Sequence, residues 1–155
     1  MFDTVLIAGL GLMGGSMAKT IKARTLSRVL GWNRTRATAE QALADGSIDA
    51  IATEALYKEA DLVIIGLYPQ ATVDWLLENM PKMKKGCVIV DMVGVKQFMV
   101  DHLEQAALDA GVHYVGGHPM GGREFSGLDY SLPTLFDGAS MIFVPTKSSK
   151  IGRAH

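Results

Sequence analysis

A short apolar run that ends in a glycine-rich turn opens this chain and constrains its fold more than any other feature. Val5–Ala8 are all apolar and lead directly into the hexapeptide GLGLMG at positions 9–14. Met13, Met17 and Ile21 then recur at a helical spacing. A strand, a G-x-G-x-x-G turn and a helix in this order predict the first unit of a Rossmann fold, which binds a dinucleotide.

Each glycine of this turn has a separate predicted task. Gly9 permits a tight turn, Gly11 lets the backbone approach the pyrophosphate, and Gly14 lets the helix pack closely on the strand. The amide groups at the N-terminus of the helix face the anion. A glycine-rich turn without a ligand is the alternative. We predict cofactor contacts along the whole turn, from Gly9, Leu10, Gly11, Leu12, Met13 and Gly14.

Further apolar runs without strict alternation follow along the chain, as is typical of strands that are covered on both faces. They are Val29–Trp32, Leu62–Leu67, Val88–Val90, Val112–Val115 and Met141–Val144. Helical stripes lie between them, formed by Val73, Leu76, Leu77 and Met80 and by Val95, Phe98, Met99, Leu103, Ala106 and Ala110. This alternation predicts an α/β fold of the Rossmann type. Such a fold is a doubly wound, mainly parallel sheet with helices on both faces, and ligands bind at the carboxyl ends of its strands.

The composition excludes several other classes of protein. The 155 residues are 48% hydrophobic and 20% charged, with a formal net charge of -1. These values suit one globular domain and argue against a disordered chain or a nucleic-acid-binding protein. Cys87 is the only cysteine, so we expect neither a disulfide nor a metal site, and a buried hydrophobic role is favoured over a reactive thiol.

The two ends of the chain set the predicted domain limits. Residues 1–4 have no basic region and glycines interrupt the apolar stretch behind them, so neither a signal peptide nor a membrane span is predicted. We expect a cytoplasmic location. Residues 1–146 are predicted to form the dinucleotide-binding domain. Residues 147–155 are polar, basic and aperiodic, which indicates a tail, a linker or a remnant of cloning.

The residues after the second predicted strand bear on the choice of cofactor. An acidic residue usually binds the adenosine ribose at this position, but this chain has Asn33 there. Asn33 can still bond a ribose hydroxyl, whereas Arg34 and Thr35 can bind a 2′-phosphate that no acid repels. We therefore expect NAD(P), with NADP favoured, although Arg34 also suits an ordinary solvated turn. Leu67 and Pro69 are expected to contact the cofactor as well.

One histidine lies in a second glycine-rich segment, at positions 116–127. This segment follows the predicted strand Val112–Val115, so His118 is expected in a loop at the ligand side of the sheet. An imidazole there can accept the proton of a substrate hydroxyl while hydride leaves the adjacent carbon. A structural role is the alternative for His118, and it is favoured for His102 and His113.

Three motifs of the chain resemble the prephenate and arogenate dehydrogenases. They are the turn Gly9–Ser16, Asp91 with Val95-Lys96, and Gly117–Met120 followed by Glu124, Ser126 and Gly127. The pairs Leu135-Phe136 and Val144-Pro145 match as well, so the resemblance covers nearly all of the chain up to about Pro145. The His-Pro-Met segment is far more specific than the glycine fingerprint.

This resemblance implies an oxidative decarboxylation in tyrosine biosynthesis. NAD(P) takes hydride from the ring carbon that bears the hydroxyl, carbon dioxide is lost and the ring becomes aromatic. Prephenate gives 4-hydroxyphenylpyruvate, and arogenate gives tyrosine. His118 matches the family histidine that draws off the hydroxyl proton. Weaker expectations of substrate contact concern Lys96, Arg123, Glu124 and Ser126.

Two departures from the family pattern matter. Gly94 stands where the family often has a serine that helps position the histidine or the substrate hydroxyl. The family also carries a C-terminal helical domain that closes over the cofactor, supplies basic residues and forms a homodimer, and nothing in this sequence corresponds to it. We therefore expect the cofactor-binding half of such an enzyme, inactive by itself and without a nucleic-acid or membrane partner. The alternatives are another NADP-dependent dehydrogenase or reductase of the β-hydroxyacid type and a non-catalytic dinucleotide sensor.

Overall fold

Strands and helices alternate along the chain in the computed structural model, which describes residues 2–94, 96–119, 127–137 and 141–149. The strands are β1 Thr4–Ala8, β2 Arg28–Trp32, β3 Ala50–Ile51, β4 Leu62–Ile65, β5 Val88–Asp91, β6 His113–Pro119 and β7 Met141–Pro145. The helices are α1 Leu12–Arg24, α2 Arg36–Ala44, α3 Glu54–Tyr57, α4 Pro69–Asn79 and α5 Lys96–Ala110. Short 3-10 helices span Met80–Lys82 and Leu128–Tyr130.

The strands form one sheet in the order β3-β2-β1-β4-β5-β6-β7. Neighbouring strands from β3 to β6 are parallel, and only the pair β6 and β7 is antiparallel. The strand order reverses beside β1, where Ala8 pairs with both Trp32 of β2 and Ile65 of β4. A doubly wound sheet binds ligands outside the carboxyl ends of its strands at such a switch point. The predicted Rossmann-type fold class is confirmed.

Each face of the sheet buries an apolar layer of its own, which explains why the strands lack alternation. One layer joins Leu6 and Ile89 to apolar side chains of α4 and α5. The other joins Val5 and Ile7 to Ala18 of α1 and to two alanines of α2. None of the helices in the described part of the chain is long and apolar enough to cross a membrane.

Cys87 lies just before β5 and is fully buried. Burial raises the pKa of its thiol to about 12, so that the thiol stays protonated at neutral pH. This agrees with the predicted role of a small buried hydrophobic residue.

Several element limits differ from the predicted ones. The fourth strand ends at Ile65 and not at Leu67, because Gly66 begins the turn into α4. The sixth strand runs on from Val115 to Pro119 because β7 pairs with it there. His118 therefore lies in a strand and not in a loop, which corrects the prediction. The elements β3, α2 and α3 were not predicted, since the first spans two residues and α2 buries only alanines.

The first residues of the predicted tail pack against the domain. The backbone N–H of Tyr114 donates to Ser148 Oγ at 3.1 Å, and the Ser148 carbonyl lies 2.9 Å from His113 Nδ1. Ser148 and Ser149 are both buried. Residues 147–149 thus extend the packed part of the chain beyond position 146.

We expect acid to weaken the contacts of the Asp61 carboxylate at the amino ends of the strands. Asp61 accepts the N–H groups of Thr4 at 3.0 Å and Asp3 at 3.1 Å, and it pairs with Lys84. Lys84, the Thr4 N–H and a smaller contribution from the Asp3 N–H lower the pKa of Asp61 below its usual 3.8. A lowered pKa in the folded state gives stability that is present above pH 3.8 and is lost as the pH falls through the folded value. Urea unfolding should therefore show Asp61→Asn less stable by about 1 kcal/mol at pH 7.

This difference should shrink as the pH is lowered from 5 toward 3. Asp3→Asn is the control, because it removes a carboxylate at the same ends of the strands but keeps the backbone N–H that Asp61 accepts. A pH-independent difference between wild type and Asp61→Asn would contradict the assignment.

Candidate functional site

The glycine turn between β1 and α1 is required by close backbone packing. Gly9 has a φ of 94°, and a Cβ there would lie 2.7 Å from the carbonyl oxygen of Gly66. A Cβ on Gly14 would lie 1.7 Å from the carbonyl oxygen of Gly9. Both positions therefore need glycine to bring β1, α1 and the end of β4 together, as the fingerprint predicts.

Gly11 differs from its two neighbours because no atom crowds it. Apart from Gly11 itself and its two chain neighbours, no described residue has a heavy atom within 4 Å of a Cβ built there, and the φ of Gly11 is an ordinary -77°. Gly11 caps the N-terminus of α1, and no side chain in the described part of the chain bonds the free amides of that first turn. The first turn also has no acidic residue. Open space in front of free helix amides fits a pyrophosphate.

Asn33 ties the glycine turn to the end of β2. Its Oδ1 accepts the backbone N–H of Leu10 at 2.9 Å, and its Nδ2 donates to the Thr35 carbonyl at 3.0 Å. Of its two amide hydrogens, one is left for a ribose hydroxyl. The sequence indicated the ribose contact, and the structure adds a role in holding the turn.

Arg34 and Thr35 are exposed at this end of β2. The guanidinium of Arg34 makes no hydrogen bond or ion pair with another described residue, whereas Arg36 Nε donates to Glu40 at 3.2 Å. Of these two arginines, Arg34 is therefore the one that a phosphate can bind without breaking an ion pair among the described residues.

The turn after β4 closes the other side of the switch point. A Cβ on Gly66 would lie 3.0 Å from the backbone nitrogen of Gly14, so the two turns touch. The Leu67 carbonyl accepts the Thr72 hydroxyl at 3.0 Å, and Pro69 begins α4. Tyr68 between them is 84% exposed. Tyr68 is not among the residues predicted from the sequence to contact the cofactor.

His118 lies at the carboxyl edge of the same sheet. It follows Val115, the last residue of β6 that pairs with β5, and it pairs with Ile142 of β7. A Cβ on Gly94 would lie 3.5 Å from His118 Cε1 and 3.8 Å from Nδ1, an ordinary contact distance. His118 Nδ1 is buried and has no hydrogen-bond partner among the described residues. A serine would fit at position 94, but glycine gives the ring no partner.

A buried polar cluster lies between β5 and β6, next to His118. Asp91 ends β5 and is fully buried. It accepts the Tyr114 hydroxyl on Oδ2, and on Oδ1 it accepts Lys96 Nζ and the N–H groups of Val93 and Gly117, both at 3.3 Å. Burial, together with the charge and hydrogen bond of Asp91, raises the pKa of Tyr114 far above its usual value. Tyr114 therefore remains a hydrogen-bond donor.

This cluster includes Lys96, one of the weak substrate candidates. The sequence suggested a substrate contact, but the structure pairs its ammonium with Asp91 and leaves its side chain 14% exposed. The other weak substrate candidates, Arg123, Glu124 and Ser126, lie outside the described residues.

Comparison with known proteins identifies the family of this chain. Residues 17–153 match the family described as prephenate dehydrogenase, nucleotide-binding domain. The chain belongs to this family. The matched residues include Asp91, Lys96 and His118 but begin after the turn of residues 9–14. The close-packed glycine turn is therefore a separate observation, and it agrees with a nucleotide-binding domain.

Individual relatives support the same family. A curated prephenate dehydrogenase of Bacillus subtilis is 37% identical over 149 residues, which are 94% of this chain and 40% of that protein. The crystal structure of prephenate dehydrogenase from A. aeolicus in complex with hydroxyphenyl propionate and NAD+ has a TM-score of 0.85 and 28% identity over 96% of this chain. The arogenate dehydrogenase of Synechocystis shares the fold, with a TM-score of 0.84. The chain covers 52% of each of these two structures, so it spans about half or less of the length of its relatives.

Proposed function

We propose that this chain is the dinucleotide-binding half of an NAD(P)-dependent dehydrogenase that oxidises and decarboxylates prephenate or arogenate. The observation that carries the proposal is the position of His118 at the carboxyl edge of a sheet whose switch point holds an open glycine turn. Membership of the prephenate dehydrogenase family agrees with it. The A. aeolicus relative binds hydroxyphenyl propionate and NAD+, an aromatic acid and a dinucleotide, which are the two kinds of ligand that the proposed site needs.

The chain's own residues bind and orient the reactants in this proposal. The free amides at the start of α1 hold the pyrophosphate, and the nicotinamide of the bound cofactor supplies the hydride acceptor. His118 accepts the proton of the ring hydroxyl as hydride leaves the ring carbon that bears this hydroxyl. Loss of carbon dioxide then delivers an electron pair to the ring, which becomes aromatic, and His118 returns the proton to the phenolate oxygen.

A second half of the kind that the relatives carry completes the active site in our proposal. The substrate's carboxylates need cations, and the described Lys96 is already paired with Asp91. A closing domain also orients substrate and excludes water, effects that can supply ~7–11 kcal/mol of a barrier. We therefore infer that turnover, and the homodimer expected for the family, belong to a full-length enzyme that contains this domain.

Two measurements test this function. Calorimetric titration of the chain with NAD and NADP should show binding without substrate. A spectrophotometric assay of NAD(P)H should then show turnover of prephenate or arogenate by the full-length enzyme and none by this chain alone. Dinucleotide binding without turnover in the full-length protein would favour a sensing domain. Turnover by the chain alone would refute the need for a second half.

On cofactor choice, we expect Arg34→Ala to raise the Kd for NADP about tenfold and to leave the Kd for NAD within about twofold. A hydrogen bond to a charged group contributes ~1.5–3 kcal/mol, and Arg34, which pairs with none of the described residues, can give one to a 2′-phosphate. Titration of both cofactors checks this. Arg36→Ala is the matched control, because Arg36 is paired with Glu40. Equal losses for NAD and NADP in Arg34→Ala would exclude the preference for NADP.

A further inference from the structure

We propose that Asp91 is a positioning residue that fixes His118 through the backbone on two sides of the imidazole. This inference rests on the proposed role of His118 as the proton acceptor. Asp91 does not touch His118 in the described contacts. It bonds the residue before His118 in β6 and the turn that carries Gly94 against the ring.

The first connection follows from the register of the sheet. The N–H of His113 donates to the Cys87 carbonyl at 2.8 Å, so alternate residues of β6 direct their amides toward β5. The pairing of the two strands ends at Val90 and Val115, and the amide of Gly117 lies beyond it. The Asp91 carboxylate accepts that amide at 3.3 Å. It therefore replaces the missing strand partner immediately before His118.

The second connection runs through the turn after β5. Asp91 Oδ1 also accepts the N–H of Val93 at 3.3 Å, which fixes the direction of the chain into Gly94. Gly94 in turn borders His118, since a Cβ on this glycine would lie 3.5 Å from the ring carbon Cε1. One carboxylate oxygen thus holds both the strand that carries the imidazole and the turn that borders it.

The imidazole needs such support because none of the described residues bonds its buried nitrogen. A histidine base is usually oriented by a hydrogen bond to its second ring nitrogen. His118 Nδ1 has no partner among the described residues, and Gly94 offers none. Within the described part of the chain, the ring is oriented by the backbone that carries it and by the atoms packed around it.

The buried carboxylate is itself held by two further groups. Lys96 neutralises its charge at Oδ1, and the protonated Tyr114 hydroxyl occupies Oδ2. A buried charge is stable in one position only when it is paired and fully hydrogen-bonded. These bonds fix the rotation of the Asp91 side chain and, through it, the amides of Gly117 and Val93.

The test is steady-state kinetics of Asp91→Asn in the full-length enzyme. We expect kcat to fall about 30-fold, since a misplacement of about 1 Å can cost about a hundredfold, while KM for the dinucleotide stays within about twofold. Asp49→Asn is the matched control. Asp49 accepts the Val29 N–H at 2.8 Å and pairs with Lys22 at 2.6 Å. It lies at the amino ends of the strands, away from His118 at their carboxyl ends. Asp49→Asn should lower stability and leave kcat unchanged.

Two further measurements keep the test decisive if Asp91→Asn folds poorly. Tyr114→Phe removes only the bond to Oδ2 and should lower kcat severalfold with KM unchanged. In this chain, the nuclear magnetic resonance signal of the His118 Cε1–H, identified among the four histidines by its loss in His118→Asn, should shift or broaden in Tyr114→Phe and not in Asp49→Asn.

The outcomes separate this inference from the proposed function. If His118→Asn keeps normal turnover, the role of His118 is wrong. If His118→Asn is inactive but folded Asp91→Asn keeps kcat within twofold, Asp91 does not position the ring. A loss of kcat that is equal in Asp91→Asn and Asp49→Asn, or a change confined to KM, would also overturn the positioning role.

Discussion

Replacing His118 by asparagine should lower the kcat of the full-length enzyme by about a hundredfold or more and leave dinucleotide affinity within about twofold. Asparagine retains a polar side chain of similar reach but cannot accept and return the hydroxyl proton. Loss of a general base typically costs 10²–10⁴-fold in rate. The dinucleotide should still bind, because the phosphate contacts that we propose belong to the turn between β1 and α1 and do not involve His118. Turnover assays and calorimetric titration of the same variant check both parts.

His102→Asn provides the control for a general effect of losing a histidine. His102 is exposed on α5, and its Nδ1 lies 2.7 Å from the Phe98 carbonyl one turn earlier. We expect unchanged kcat in this variant. Wild-type turnover in His118→Asn would remove His118 from the mechanism, and equal losses in the two variants would show that the effect is not chemical.

The second large effect concerns the glycine turn. Gly11→Val should reduce dinucleotide affinity by about a hundredfold and leave the stability of the chain nearly unchanged. A Cβ at this position lies within 4 Å of no described residue beyond its chain neighbours, so the side chain projects into the space proposed for the pyrophosphate. Losing one or two charge-assisted hydrogen bonds of ~1.5–3 kcal/mol each accounts for the expected factor. Calorimetry and thermal unfolding of the chain measure the two quantities.

Gly14→Ala is the informative contrast to Gly11→Val. Its Cβ would lie 1.7 Å from the Gly9 carbonyl oxygen, so the turn and α1 must move apart. We expect a loss of about 3 kcal/mol in unfolding free energy, the upper range for overpacking, together with loss of binding. Stability should therefore fall in Gly14→Ala and not in Gly11→Val. Equal affinity of Gly11→Val and wild type would show that the pyrophosphate does not lie on this turn.

Local patterns were sufficient to predict the fold and the glycine turn. The glycine fingerprint predicted its turn correctly, because the requirement for glycine at positions 9 and 14 arises within one strand-turn-helix unit. The apolar runs located most of the strands, since a strand buried on both faces needs apolar residues throughout. The two-residue β3 and the alanine-rich α2 left no such pattern, and they could not be found in this way.

The sequence by itself therefore determined the Rossmann-type sheet and the glycine turn, since each depends on neighbouring residues, and it singled out His118 as the candidate base. Only the tertiary structure decided how these parts are held together. Asn33 reaches across 23 positions to bond Leu10, and Asp91 bonds Gly117 across 26. It also placed His118 in a strand, because β7 pairs with β6 there, and it joined Lys96 to Asp91. Such contacts depend on which elements become neighbours in the sheet, and the spacing of residues along the chain does not contain that information.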